Sequence, residues 1–173
     1  MKTIPKMYYK RIEDIDYDKL KKSNIKCLLF DLDNTIASNK NNDVSSSKIK
    51  LFKRLNKDFK VYILSNNNHK QRLDEVSSKL GISYVPFALK PLSRGFRKIR
   101  KKEKVSFKEM CIIGEQIVTD IYGGNRLNMM TVLVDPMGED LKVTFLNRKI
   151  EKVIIKNLTK KGLFKKGNYY EWR

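Results

Sequence analysis

Cys27-Leu28-Leu29-Phe30-Asp31-Leu32-Asp33-Asn34-Thr35 is the stretch whose reading decides the fold. An apolar run ends in two aspartates one residue apart, followed by a threonine. The run is too short for a helix and is bounded by the polar segment from Ser38 to Asp43. It reads as a strand buried on both faces, as in a parallel sheet covered by helices. Ligands of such sheets sit beyond the carboxyl ends of the strands. That places Asp31 and Asp33 where chemistry usually happens, on the same side of one extended segment.

Working outward, further apolar runs at 61–64, 82–86, 110–113 and 131–134 alternate with helical patterns. The alternation predicts an α/β fold with a mainly parallel five-stranded sheet. Ile49, Phe52 and Leu55 stripe one helix, with Ser45 to Ser47 as caps. Leu73, Val76 and Leu80 stripe the next, which Gly81 stops. Leu92, Phe96 and Ile99 mark another, and Val143, Leu146, Ile150, Val153 and Leu158 a last one. Gly123-Gly124-Asn125 reads as a turn. Residues 1–22 read as a basic and aromatic arm leading to a short helix.

A chain of 173 residues is expected to form a single domain, 1–173, with an N-terminal arm and a C-terminal tail. Met1 to Asp18 is charged and lacks the apolar stretch of a secretory signal, so a cytoplasmic protein is expected. No apolar run approaches the roughly 20 residues that span a bilayer. Cys27 and Cys111 lie inside strand runs, where buried free thiols are the default. Each precedes a strand-end acid by four residues, a spacing that sets them side by side if their strands pair.

The formal net charge of +19 points to an anionic partner: a phosphorylated substrate, nucleic acid or acidic lipid. The strand ends supply matching chemistry. Asp31 and Asp33, Ser65 and Asn66, and Glu115 with Asp120 each follow a strand, and Lys90 follows the short third one. In a parallel sheet these ends converge on one rim. A nucleophile, a hydroxyl, a cation and a second acid pair are what phosphoryl transfer needs, because its catalysis is mainly positioning and charge compensation. Acids from two strands would hold one Mg²⁺, a hard cation that takes oxygen ligands.

These residues carry a resemblance. Asp-Leu-Asp-Asn-Thr, Ser65, Lys90-Pro91 and Gly114-Glu115 through Asp120 are similar, in order, to the four motifs of haloacid-dehalogenase (HAD) superfamily phosphatases. Gly-Glu-Gln-Ile-Val-Thr-Asp, Gly-Gly-Asn-Arg and the late Leu-Asn-Arg extend it to the YqeG branch of subclass IIIA, across nearly the whole chain. Relatives of that branch include mitochondrial-type phosphatidylglycerophosphate phosphatases. The resemblance implies a HAD-like Rossmannoid three-layer fold with a minimal cap, since helices already fill the intervals between Asp31, Ser65 and Lys90.

It also implies the roles. Asp31 is the nucleophile that becomes an aspartyl-phosphate. Asp33 is the acid and then the base. Ser65, Lys90 and the amide of Asn66 hold the phosphoryl oxygens. Asp31, the Asp33 carbonyl and the fourth-motif acids Glu115 and Asp120 surround Mg²⁺, while Thr35 shapes the loop. Glu115 departs from the pattern, which usually has Asp there. The extra methylene lengthens its reach by roughly 1.3–1.5 Å, so Glu115 is expected to bind through water or with a shifted strand end, and Asp120 to take a larger share.

The implied activity is Mg²⁺-dependent phosphomonoester hydrolysis, with phosphatidylglycerophosphate as candidate substrate. The alternatives are a phosphatase of nucleic-acid ends or small metabolites, and a non-catalytic module on RNA or a ribosomal particle. Arg94, Arg97, Lys98, Arg100, Lys101, Lys102 and Lys104 begin near the rim and suit lipid headgroups or a nucleic-acid backbone. The tail with Lys165, Lys166, Tyr169, Tyr170 and Trp172 suits a membrane interface. The expected location is cytoplasmic, at the inner face of the membrane. His69 is expected as an exposed side chain or helix cap.

Overall fold

A computed structural model describes residues 1–39, 41–138 and 145–171, the stretch 145–147 by its backbone alone. Six strands form one parallel sheet: β1 (Met7–Tyr9), β2 (Cys27–Phe30), β3 (Lys60–Leu64), β4 (Ser83–Val85), β5 (Met110–Gly114) and β6 (Met130–Val134). Their order is β1-β6-β5-β2-β3-β4. The expected count was five. The sixth strand is β1, three residues that the sequence hides between charged neighbours and that only pairing with β6 makes extended.

Helices α1 (Tyr17–Lys22), α2 (Ser46–Asp58) and α3 (Lys70–Leu80) cover one face. Leu28 and Phe30 of β2 pack there with Phe52, Leu55, Leu73 and Val76. The alternate residues Cys27 and Leu29 point the other way, to Phe96 and Ile99 of α4 (Arg94–Glu103). A strand that is apolar on both faces is thus buried on both faces, as its lack of alternation requires. α5 (Tyr122–Arg126) and α6 (Phe145–Lys160) complete that second layer. Gly123 and Gly124 lie inside α5 rather than in a turn. A Cβ on Gly124 would come within 2.4 Å of Ile112, so this helix can approach the sheet only without one.

The two cysteines show how pairing register overrides spacing. β2 and β5 do pair, but Leu28 rather than Cys27 stands opposite Cys111. Because successive strand residues face opposite ways, the thiols fall in different layers, both free and buried.

The tail packs on the first strand. Tyr170 exchanges two backbone hydrogen bonds with Tyr8 of β1, at 2.8 and 2.9 Å. The rings of Phe164 and Tyr169 lie 5.4 and 4.9 Å from that of Tyr8. Asp135 accepts from the hydroxyls of both Tyr8 and Tyr169, each at 2.5 Å. These aromatics close the exposed edge of the sheet. Trp172 and Val143 lie outside the described residues. Among the described residues no helix is long and apolar enough to cross a membrane.

Candidate active site

The loop after β2 folds about one carbonyl. Leu32 O accepts from the backbone N–H groups of Thr35, Ile36 and Ala37 at 3.3, 3.0 and 3.2 Å. Asn34 supplies the left-handed step, at φ 58°, which Asn tolerates better than most residues. Leu32, Ile36 and Ala37 are buried and anchor the turn. Lys48 of α2, itself buried, donates from Nζ to Ile36 O at 2.7 Å. A side chain on this loop is therefore held in place by apolar packing below it.

Lys90 meets the loop from the far side of the rim. Its main chain is gripped by the Asn66 carboxamide, which accepts from Lys90 N at 2.6 Å and donates to Lys90 O at 2.9 Å. The Lys90 ammonium donates to Asp31 Oδ1 at 2.6 Å and to Asp120 Oδ1 at 2.7 Å. All three side chains are nearly or fully inaccessible. Asp120 sits on a π-helical turn, Ile117–Ile121, and its Oδ2 accepts from Gln116 N at 3.1 Å. Gly114 makes room for it, since a Cβ there would fall 2.2 Å from Asp120 Oδ2.

Three of the expected residues, Asp31, Lys90 and Asp120, thus form one buried cluster. Burial pushes the Asp31 carboxyl well above the ordinary carboxylate range; Lys90 pulls it back down, and Asp120 adds to the rise. Burial also works against the Lys90 charge, but Asp120 and Asp31 outweigh it and hold the lysine protonated.

The other expected residues take separate positions. Ser65 is buried, and its Oγ accepts from Asn67 N at 3.0 Å. Among the described residues Asp33 is held through Oδ1, by Arg72 Nε and Nη2 of α3 at 3.2 and 3.0 Å. Arg72 also donates to Ser38 O at 2.8 Å and to Asn41 O at 2.6 Å, fastening the segment after the loop. Glu115 is taken by Arg148 of α6, whose Nη2 reaches both carboxylate oxygens at 2.6 and 2.5 Å. Arg148 also pairs with Glu151 at 2.8 Å, and Glu151 accepts from Ile117 N. Burial pushes the Glu115 carboxyl up to about 7 against the pull of Arg148. His69 precedes α3 and is exposed.

Arg72, Glu151 and the role of Arg148 were missed. Arg148 lies in the Leu-Asn-Arg stretch, and an arginine with a glutamate three residues on, inside an apolar helix stripe, was the available signal. Arg72 gave none beyond its place near a helix start.

The Asp31–Asp120 pair suits a hard divalent ion. Both are oxygen donors already gathered around one cation, and Mg²⁺ is commonly held by one or two carboxylates with water completing its shell. Among the described residues no three His, Cys, Asp or Glu side chains gather into a larger ligand set.

A parallel sheet with these side chains on its carboxyl rim is the arrangement of a HAD-type phosphatase. The putative HAD-hydrolase YfnB of Bacillus subtilis, solved bound to magnesium, shares the fold at a TM-score of 0.55 and 14% identity, over 69% of this chain and 91% of that one. The chain belongs to the mitochondrial PGP phosphatase family, whose model matches residues 1–138. It is 34% identical to the probable phosphatase YqeG of Bacillus subtilis over 161 residues, 92% of this chain and 93% of that protein. It is 25% identical to the chloroplastic/mitochondrial phosphatidylglycerophosphate phosphatase 1 of Arabidopsis thaliana over 171 residues. There it covers 92% of its own length and about half, 49%, of the plant protein. The chain is a phosphoric monoester hydrolase of the YqeG family.

Proposed function

We propose that one domain spanning residues 1–173 hydrolyses a phosphomonoester through an aspartyl-phosphate on Asp31, with Mg²⁺ as cofactor and phosphatidylglycerophosphate as substrate. The observation that carries this reading is the buried Asp31–Lys90–Asp120 cluster. A carboxylate meant to attack a phosphate must be shielded from the negative charge it approaches, and Lys90 stands beside it for that purpose.

An Asp31 oxygen bonds to phosphorus as the bond to the ester oxygen breaks, and Asp33 gives the leaving alkoxide its proton. Water then attacks phosphorus, Asp33 takes the proton, and Asp31 departs as a carboxylate from inorganic phosphate. Arg72 binds Oδ1 of Asp33, which leaves Oδ2 for proton transfer. Ser65 Oγ already accepts from Asn67, so its own proton is directed to a phosphoryl oxygen. The Asn66 carboxamide is spent on Lys90, which leaves its backbone N–H for the phosphate. Mg²⁺ would be held by Asp31, Asp120 and the Asp33 carbonyl and would offset phosphate charge, while Glu115, both of whose oxygens Arg148 holds, stands apart from it.

Three features support the lipid substrate. The plant relative bears that activity in its name. The charge is +19. Helices α2 and α3 fill the intervals where a cap would enclose a small metabolite. With Mg²⁺ the protein should release phosphate from p-nitrophenyl phosphate and from vesicles carrying phosphatidylglycerophosphate, and EDTA should stop both. Asp31→Asn should lower turnover by roughly 10³-fold or more. Equal background from both proteins defeats the catalytic reading. Hydrolysis of a 5′-phosphorylated oligonucleotide with the lipid untouched moves the substrate to nucleic-acid ends.

A further inference from the structure

The segment from β4 into α4 carries features that the fold does not require. Phe87 and Leu92 are each 56% exposed and bracket Lys90 on the rim. The backbone is strained to present them: Phe87 and Leu89 take left-handed φ values of 48° and 56°, a conformation unfavourable for residues with a Cβ. The loop is nonetheless fixed, with Phe87 N donating to Asn67 O at 3.3 Å and Leu92 N to Leu89 O at 2.8 Å.

Beyond it, α4 exposes Arg94, Arg97, Lys98 and Lys101. Their spacing is that of one helix face, away from the buried Gly95, Phe96 and Ile99. None of the four has a carboxylate partner among the described residues. Two sit in the first turn, which holds no acid, although a helix N-terminus disfavours positive charge. Their neighbours are differently employed: Arg100 lies over the Phe107 ring at 5.0 Å and Lys102 over Tyr62 at 5.2 Å. Two unpaired cations, Arg94 and Arg97, at the end of a helix that disfavours them cost stability, so their return lies outside the chain.

We propose that this surface docks on a bilayer containing anionic phospholipid, with Phe87 and Leu92 entering beneath the headgroups and the α4 stripe lying along the phosphates. Two chemistries on one rim favour this partner. Cations alone would serve a nucleic acid equally well, but Leu92 can neither stack on a base nor hydrogen-bond to one, whereas acyl chains accept it. Docking in this way presents the mouth beside Lys90 to the membrane surface. The inference deepens the lipid-substrate reading above and rests on it for the choice of partner.

The test is co-sedimentation of the whole protein with phosphatidylcholine vesicles made with and without phosphatidylglycerol, at low and high salt. Retention should require the anionic lipid. Replacing Arg94, Arg97, Lys98 and Lys101 by Gln should weaken partitioning by roughly 10²–10³-fold. Phe87→Ser with Leu92→Ser should remove the part of the binding that survives high salt. Both variants should hydrolyse p-nitrophenyl phosphate at the parent rate, which shows that they fold. Undiminished retention of the Gln variant overturns the proposal, as does displacement of the protein from vesicles by single-stranded RNA. Because binding is read without turnover, retention of a protein that leaves the lipid phosphate intact defeats the substrate reading and keeps the surface.

Discussion

Two places in this molecule set one cation between two acids, and they are built for different ends. Lys90 lies between Asp31 and Asp120, and Arg148 lies between Glu115 and Glu151. Lys90 offers a compact ammonium on a flexible stem, whose donors can turn from carboxylate to phosphate without moving the backbone. Arg148 offers a rigid planar fork that grips both oxygens of Glu115 at once. The first arrangement can be rearranged by a ligand; the second ties α6 to the end of β5. The difference shows why two acids five residues apart, Glu115 and Asp120, are not equivalent. Asp120 shares a cation with the proposed nucleophile, while Glu115 belongs to the scaffold.

Replacing each central cation separates the two roles. Lys90→Met should give the largest change, a loss of turnover of roughly 10²–10³-fold, as expected when a donor to developing negative charge is removed. Steady-state kinetics on p-nitrophenyl phosphate reads it, and activity within a few-fold of the parent would remove Lys90 from the phosphate site. Arg148→Met should act on stability instead, costing about 3–5 kcal/mol at about pH 8 by leaving Glu115 buried without its cation.

The sign of its pH dependence follows from the raised carboxyl. In the folded variant Glu115 holds its proton above the parent's value of about 7, whereas the unfolded chain loses it near the ordinary value. The penalty is therefore small at about pH 5 and grows as pH rises. Urea denaturation at the two pH values measures it, and an equal penalty at both would mean that Glu115 does not set the cost. The smallest effect is on metal response. Excess Mg²⁺ should raise the melting temperature of Lys90→Met by a few degrees and leave that of Arg148→Met no higher than the parent's response. A reversed order would assign the ion to Glu115.

Much of this site was legible because it obeys strand chemistry. Asp31, Lys90 and Asp120 each follow an apolar run, and a parallel sheet brings such ends together whatever lies between. Arg72 and Arg148 were not legible in this way. A helix declares which of its faces is apolar, but not which loop its polar residues will meet. Strand β1 escaped because three residues carry too little pattern, and its evidence lies in β6 and the tail. The packing of the tail was hidden for the same reason. Tyr169 and Tyr170 have an interfacial composition, yet Tyr8 and Asp135, far away in sequence, claim them.

The sequence by itself determined the class of fold, five of its six strands and the acids and lysine that follow them, because periodicity and strand ends are local properties. Only the tertiary structure decided which acid each cation serves, which aromatic residues are consumed in packing and which bases remain exposed. Those outcomes depend on register and on helix docking across long separations, where a one-residue shift turns a side chain to the opposite face.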